Sequence, residues 1–345
     1  MNRIIVAGAR GFFGSAVVRI LRAEGCAPLI ASRRPGGDLM LDVEDCGSVR
    51  KAIQARDVIV DATAPFQTRT ATLVDEAIAA GADVVDLSDS LGYGQLVWTR
   101  DGAARDRGVR VLNACSSVSV LSAFAIERSG IREPVAVHGF LAPATRDTAN
   151  RGAAESLLSS VGRSIEVQRG GELRHVRGWM ETREFAALRR RGRLTEMADA
   201  FTLPRVWPSL RDVDFWVDPN TRGAGALLGV LARAPLLSPI VARFAPYGMG
   251  FARILGSREG ILAYEVEGVA GERRSIVFTG HESFLMAAIP AALAAMRLVS
   301  GEPCPAGVVP VHQHVGVGAL GAALTRYGIR IEQREFGQRH RNSTS

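Results

Sequence analysis

A glycine-rich turn near the start of the chain constrains the fold more than any other feature of the sequence. Residues 4–7 form a short apolar run that predicts a buried strand, and apolar residues then recur at the spacing of a helix. Between these two elements lie three glycines, Gly8, Gly11 and Gly14. Gly8 permits the tight turn, Gly11 lets the backbone approach a pyrophosphate, and Gly14 lets the helix pack against the sheet. The free N–H groups at the helix start favour a phosphate, so the turn predicts a nucleotide site.

The rest of the first 130 residues alternates between predicted strands and predicted helices with short links. Further strands are expected over residues 27–31, 39–42, 57–61, 83–87 and 109–113. Helices are expected between them, over residues 49–53, 70–80 and 96–107. This alternation is typical of an α/β fold with a doubly wound parallel sheet.

The pattern changes at about residue 134. Two alternating runs, 260–267 and 273–280, predict a β-hairpin, and residues 283–299 predict an alanine-rich helix. The second half is therefore expected to be an α+β domain built on a mixed or antiparallel sheet. We expect four parts: a nucleotide-binding domain (1–130), a substrate and dimerisation domain (131–285), a helical return to the first domain (286–332) and a polar tail (333–345).

The residues that follow the second strand indicate which dinucleotide the chain binds. In dinucleotide-binding folds an acidic residue at this position accepts a hydrogen bond from the ribose of NAD, whereas a hydroxyl and arginines suit the 2′-phosphate of NADP. Here Ser32 is followed by Arg33 and Arg34, and no acidic residue ends the strand. The sequence therefore predicts a preference for NADP(H) over NAD(H).

Other candidate site residues follow the predicted strands, because ligands of open α/β sheets bind at the carboxyl ends of the strands. Asp42 and Val43 are expected beside the adenine. The small residues that suit a cofactor crossing the sheet are Ala62, Thr63, Ala64 and Pro65. Hydride transfer needs little from the protein beyond positioning and a proton donor. The candidates for that donor are Asp86, Ser88, Asp89, Cys115 and Ser116, although a strand-end aspartate is also a common helix cap and a strand-end cysteine a common core residue.

Composition excludes several classes of function. The net charge of +7 comes almost entirely from arginine, since Lys51 is the only lysine, and its place in a polar helix excludes Schiff-base chemistry. The basic residues are not interleaved with aromatic ones, so a nucleic-acid partner is not expected. Four scattered cysteines, no signal peptide and no long uncharged apolar run predict a cytoplasmic protein with reduced thiols and no transmembrane segment.

Four segments recur in the order and spacing of a known family. They are VAGARGFFG (6–14), DVIVDATAPF (57–66), VVDLSD (84–89) with RGVRVLNACSS (107–117), and LVSGEPCPAGVVP (298–310). In these segments the chain resembles the saccharopine dehydrogenase-like family of NAD(P)-binding oxidoreductases. The resemblance implies a Rossmann domain joined to a mixed α/β domain, with a C-terminal helix that returns to the first domain.

The resemblance also implies roles for individual residues. The glycine turn would hold the pyrophosphate through Gly8, Gly11, Phe13 and Gly14, with Ala9, Arg10 and Phe12 in the same turn. Ser32 and Arg33 would meet the adenosine 2′ end, and the residues near the nicotinamide would be Ala62 to Pro65 and Asp86. The chain departs from the family at Cys115–Val118, where Gly-Phe-Asp-Pro is common.

Two other classes of protein have a similar glycine turn. Short-chain dehydrogenases need a tyrosine with a lysine four residues later, because the lysine lowers the pKa of the phenol. None of the four tyrosines has this partner. A non-catalytic NADP(H) sensor keeps the turn without a catalytic set, whereas the long second half of this chain favours a substrate cleft.

Several features of the second half leave alternatives open. His312 and His314 lie near Cys304 without an acidic third ligand, so no metal is expected, and His138 either packs in the core or reaches a cleft. Two partners are open for Arg146, Arg151 and the arginines of residues 189–193: a substrate carboxylate or the solvent. Residues 223–252 are apolar but broken by prolines, which suits packing, a dimer contact or a lipid surface.

We therefore expect an NADP(H)-dependent oxidoreductase that transfers a hydride to or from an imine or carbonyl carbon of a small organic substrate. A homodimer formed through the second sheet is the expected assembly. The alternative is a non-catalytic NADP(H)-binding protein that is regulatory or associated with lipid.

Overall fold

A computed structural model of the protein describes residues 2–148, 159–221, 223–233 and 256–335. Within these ranges the strands form two sheets, and one large buried cluster contains side chains from both sheets and from the helices between them. Across the part of the chain that is described, no helix is long and apolar enough to span a bilayer.

Seven of the described strands form a wholly parallel sheet in the order β15-β6-β5-β4-β1-β2-β3. Their bounds are β1 (Ile4–Ala7), β2 (Leu29–Ser32), β3 (Leu39–Met40), β4 (Val58–Asp61), β5 (Asp83–Asp86), β6 (Arg110–Leu112) and β15 (Gly307–Val308). β1, β4 and β5 are buried throughout, as expected for strands covered on both faces. The strand order reverses between β1 and β4, and ligands of such sheets bind at this switch point. The predicted doubly wound parallel sheet is therefore confirmed.

Short helices connect the strands of this sheet. They are α1 (Phe12–Ala23), α2 (Cys46–Ala52), α3 (Thr72–Ala80), α4 (Leu91–Trp98), α5 (Asp101–Asp106) and α6 (Val120–Ser129). The prediction of one helix over 96–107 was wrong, because the helix ends at Trp98 and a new one begins at Asp101. At the break the Thr99 hydroxyl donates to the Leu96 carbonyl and supplies a partner that the ending helix lacks.

The second sheet is mixed and has the order β10-β11-β12-β7-β13-β14-β16, with β8 and β9 attached through β12. Its described strands are β7 (Pro134–Ala142), β8 (Ser164–Arg169), β9 (Glu172–Arg177), β10 (Thr182–Phe185), β11 (Arg190–Thr195), β12 (Asp212–Val217), β13 (Gly260–Gly268), β14 (Arg273–Gly280) and β16 (Arg330–Glu335). The central strand β7 runs parallel to β12 and antiparallel to β13. The predicted hairpin is confirmed as β13 and β14, which pair along their whole length.

The C-terminal part of the chain contacts both sheets in turn. Helix α10 (Leu285–Ser300) packs against α1, β4 and β5, and β15 then pairs with β6 at the edge of the first sheet. After α11 (Val317–Arg326) the chain goes back to the second sheet, where β16 pairs with β14. The segment predicted as a helical return to the first domain therefore also contains a strand, β15. The polar tail was predicted from residue 333, but β16 runs to Glu335 because its backbone pairs with β14 from Arg330 to Glu335.

Three further helices belong to the second half: α7 (Thr145–Thr148), α8 (Asp199–Thr202) and α9 (Ala224–Arg233). Some of the predictions lie outside the described residues. These are Arg151, the apolar stretch beyond Arg233 up to 252, and residues 336–345.

Candidate active site

The glycine turn has the geometry of a phosphate cradle. Gly8 has a φ of +72°, a conformation that side chains other than glycine rarely adopt, and the Gly11 N–H donates to the Gly8 carbonyl at 2.7 Å. A Cβ on Gly14 would lie 2.2 Å from the Gly8 oxygen, so α1 sits on the turn only because this position is glycine. No side chain caps the N-terminus of α1, which leaves its first N–H groups directed at any anion bound there.

Aromatic side chains connect this turn to the second half of the chain. The Phe12 ring lies 4.8 Å from the ring of Phe284, which directly precedes α10, and 5.3 Å from the ring of Phe13. Two turns further along α1, Arg19 forms an ion pair with Glu282 at 3.1 Å. The start of α10 therefore lies beside the turn predicted to hold the pyrophosphate.

Three guanidinium groups belong to the glycine turn and to the segment after β2. Arg33 and Arg34 are exposed, and within the described residues no carboxylate pairs with either of them. Arg10 extends from the glycine turn and donates to the carbonyl of Pro35, at 3.0 Å, and to that of Gly36. The Ser32 hydroxyl donates to the Arg34 carbonyl at 2.6 Å, so the segment is folded back on itself beside the turn.

The ends of β3 and β4 form two further walls beside the turn. Val43 is buried, and Asp42 accepts from the Glu44 N–H at 3.1 Å. After β4, the Ala62 carbonyl lies so close to Gly8 that a Cβ there would be 2.9 Å from it. Ala64 and Pro65 follow, joined by a cis peptide bond, and both are exposed at the sheet edge.

Arg69 joins these two walls and was not predicted from the sequence. Its guanidinium donates to Asp61 at 2.8 Å, to the Thr63 carbonyl at 2.8 Å, and to Glu44. The guanidinium also lies 5.4 Å from the Phe66 ring centroid. Burial is the largest single influence on the pKa of Arg69 and lowers it, but Asp61, Tyr93 and Glu44 together raise the pKa by more, so Arg69 remains charged. No periodic pattern marks a contact between residues 25 apart, and only its nearness to the β4 end could have indicated it.

Asp86 is the centre of a buried polar network at the end of β5. Its carboxylate accepts from the backbone N–H groups of Ser88 and Ala114, at 3.0 and 2.9 Å, and from the Asn113 amide at 2.9 Å. Burial is the largest influence on its pKa and raises it to about 6, while these hydrogen bonds limit the rise. Asp86 is therefore a proton-binding group close to neutral pH, although no part of it is exposed.

The other candidate proton donors are also inside the protein. Ser88 and Cys115 have no exposed surface and Ser116 is 4% exposed, whereas Asp89 is half-buried and accepts from Gln67 at 3.2 Å. Burial raises the pKa of the Cys115 thiol well above its ordinary value, so the thiol is protonated at neutral pH. None of the four cysteines, all of which are described, forms a disulfide.

The loop that carries Cys115 and Ser116 is held in a strained conformation. Ala114 and Ser119 have φ values of 58° and 46°, which are unfavourable for residues with a Cβ. Two groups of the second half hold the loop: Asp199 accepts from the Ser119 hydroxyl at 2.8 Å, and the Tyr264 hydroxyl donates to the Ser117 carbonyl at 2.8 Å. Such strain is typical of functional segments. Asp199, 80 residues from Ser119, was missed because nothing in the sequence connects them.

The histidines and arginines left open by the sequence have defined surroundings. His138 is buried in β7, where its Nδ1 lies 2.7 Å from Asp214. His314 has no exposed surface; it directly follows a short 3₁₀ helix (Val311–Gln313), and its Nε2 donates to the Val309 carbonyl at 2.9 Å. Among the described residues no group of three potential ligands could hold a metal. Arg190 is paired with Asp218 at 3.3 Å, while Arg146 lies beside Ser257 through its backbone.

Comparison with known proteins gives similarity in structure only. No family model matches the sequence, and no curated protein matches it. Apo saccharopine dehydrogenase (L-Glu forming) from Saccharomyces cerevisiae matches 98% of this chain and 100% of its own length, at 14% identity and a TM-score of 0.61. A dehydrogenase from Clostridium difficile matches 94% of this chain and 98% of its own, at 6% identity and a TM-score of 0.41. The chain thus has the fold of saccharopine dehydrogenase, as the resemblance predicted: a Rossmann-type parallel sheet joined to a mixed sheet.

Proposed function

We propose that the protein is an NADP(H)-dependent oxidoreductase that transfers a hydride to or from the imine or carbonyl carbon of a small organic substrate. The observation that carries the proposal is the glycine turn, with a left-handed Gly8, no room for a side chain at Gly14 and an uncapped helix start, at the switch point of a parallel sheet. The similarity of fold to saccharopine dehydrogenase supports it.

The choice of NADP(H) rests on charge at the end of β2. The exposed guanidinium groups of Arg33 and Arg34 have no described acidic partner, and Arg10 bends the following loop toward the turn. The acidic side chain of that loop, Asp38, accepts from the backbone N–H of Ile30 at 2.8 Å. A 2′-phosphate would therefore meet two charge-assisted donors at this edge.

When bound, the nicotinamide would supply the hydride. The residues of this chain position it: the turn over residues 8–14 would bind the pyrophosphate, the segments 42–43 and 62–65 would flank the two halves of the cofactor, and the loop after β6 would lie where substrate approaches. Asp86 would hold a proton at its carboxylate, which Asn113 and the Ala114 N–H orient. A cytoplasmic homodimer with the part boundaries given above completes the proposal.

The test is a calorimetric titration of the full chain with NADPH and NADH, repeated on Arg33→Glu and on Arg107→Glu. Arg107 is exposed just after α5, at the amino end of β6, and is the matched control. Wild type and the control should bind NADPH more tightly than NADH, and Arg33→Glu should lose that preference because a carboxylate replaces a donor. Binding of neither cofactor by wild type would overturn the proposal.

One observation favours the alternative of a non-catalytic NADP(H)-binding protein. Asp86, Ser88 and Cys115 have no exposed surface, so none of them touches a substrate in this conformation. Loss of NADPH absorbance at 340 nm in the presence of imine and oxo-acid substrates would show that the protein is an enzyme. Tight NADPH binding with no turnover across the substrate panel would decide for a regulatory protein.

A further inference from the structure

Arg69 and Asp61 form an ion pair that is almost completely buried. The Arg69 side chain is 6% exposed, and its partner Asp61 has no exposed surface. The guanidinium donates along three of its edges at once: to Asp61 of β4, to the Thr63 carbonyl and hydroxyl after β4, and to Glu44 after β3. Asp61 also accepts from the Thr63 N–H at 2.9 Å, so the segment after β4 is fixed at its first residues.

The second partner, Glu44, belongs to a different wall of the groove. Its other oxygen accepts from the Thr70 hydroxyl at 2.7 Å, and its backbone N–H donates to Asp42. Glu44 thus follows directly the residues expected beside the adenine, while Thr63 belongs to the segment expected near the nicotinamide. β3 and β4 are not neighbours in the sheet, since β1 and β2 lie between them. No ladder of backbone hydrogen bonds sets the distance between the two walls directly.

We propose that Arg69 is a positioning residue that fixes the adenine-side wall (42–44) relative to the nicotinamide-side wall (62–65), so that one rigid dinucleotide can contact both. The inference rests on the proposed function. Arg69 would not touch the cofactor, because its side chain is 6% exposed and each guanidinium nitrogen already donates to Asp61, Thr63 or Glu44. It acts by preorganisation: a ligand that spans both walls binds tightly only if their spacing is already correct.

This role predicts a difference between whole and half ligands. NADPH contacts both walls and should lose affinity when the link between them is weakened. Adenosine 2′,5′-bisphosphate, which has only the adenosine half, contacts one wall and should keep its affinity. A merely structural contribution of Arg69 would lower the thermal stability of the protein without separating the two ligands.

The experiment is a calorimetric titration of the full chain with NADPH and with adenosine 2′,5′-bisphosphate. Arg69→Lys keeps the charge beside buried Asp61 but loses the planar fork that reaches three partners. We expect NADPH affinity to fall about tenfold, the factor given by one charge-assisted hydrogen bond, and the affinity for the bisphosphate to change less than about twofold. Equal losses for both ligands, or no loss for either, would overturn the proposal.

The chain offers a matched control in Arg50, which pairs with Glu76 at 2.6 Å and so links α2 to α3, the helices that follow the same two walls. The Arg50 side chain is 70% exposed, although its partner Glu76 is buried, and Arg50→Lys should leave both affinities unchanged. If Arg69→Lys fails to fold, Glu44→Gln weakens the same link from its exposed end and should show the same selective loss. Failure of wild type to bind NADPH would instead refute the proposed function itself.

Discussion

At the scale of single residues, the most unusual group is the carboxyl of Asp86. It is fully buried, and its pKa of about 6 in the folded protein compares with 3.8 for an ordinary aspartate. Between these two values the folded protein binds a proton that the unfolded chain does not bind. The folded state is therefore favoured on the acid side, and the free energy of unfolding falls as pH rises through this interval.

The Asp86→Asn variant tests this residue. Two pKa units correspond to about 3 kcal/mol of unfolding free energy lost between pH 4 and pH 6, and the variant should show a smaller loss than wild type. The slope that remains should come from the other carboxyls whose pKa burial raises: Asp199, to about 6, with Glu127, Glu196 and Glu265. Urea unfolding at pH 4, 5, 6 and 7 measures how the free energy of unfolding depends on pH. The control is Asp106→Asn, at an exposed position. An unchanged slope in Asp86→Asn would mean that Asp86 titrates normally.

The residues of the site differ in how far the sequence reveals them. Gly8, Gly11 and Gly14 could be predicted because local geometry demands glycine within one short segment. The partners of Arg69 and Asp199 could not, because each joins residues that are distant in sequence and obeys no periodicity. The candidate donors Ser88 and Cys115 were found by their place at strand ends, but only the structure shows that they are buried.

At the scale of elements, the seating of α1 on β1 depends on one missing side chain. A Cβ on Gly14 would overlap the Gly8 carbonyl oxygen. Neither the backbone at Gly8 nor the start of α1 can move away without opening the turn. Gly14→Ala should therefore lower the free energy of unfolding by about 1–3 kcal/mol and weaken NADPH binding. Urea unfolding measures the first effect.

Gly92 is the matched control for that prediction. It is exposed in α4, and no atom lies within 4 Å of the position of its Cβ. Gly92→Ala should leave the stability unchanged or raise it by up to about 1 kcal/mol, because alanine favours helices. If both alanine variants behave alike, close packing at Gly14 is not what holds α1 in place.

The central strands of the first sheet have strong apolar patterns and were predicted, whereas β15 and β16 lack such patterns and were not. β1, β4 and β5 are buried on both faces and read as short apolar runs. β15 has only two residues and forms because β6 presents a free edge. β16 has the sequence RIEQRE, whose charged residues suit an exposed edge strand but resemble a tail when seen alone.

At the scale of the whole molecule, the two sheets share one core. Val17 of α1, Phe124 of α6 and Phe278 of β14 belong to a single buried cluster. Scanning calorimetry should therefore show one cooperative unfolding transition rather than two. NADPH at about 100 times its dissociation constant should raise the free energy of that whole transition by about 2.7 kcal/mol. Two separate transitions, of which NADPH shifts only one, would show that the sheets unfold independently.

The pairing of β15 with β6 also determines when the first sheet can be completed during protein synthesis. Gly307 and Val308 leave the ribosome about 200 residues after their partners Arg110 and Val111, and α10, which covers β4 and β5, leaves only slightly earlier. At about 5–20 residues per second this is an interval of roughly 10–40 s. The glycine turn is thus made well before the sheet beneath it can be finished. During that interval one face and one edge of the nascent sheet are uncovered, and this is when a chaperone has most to protect.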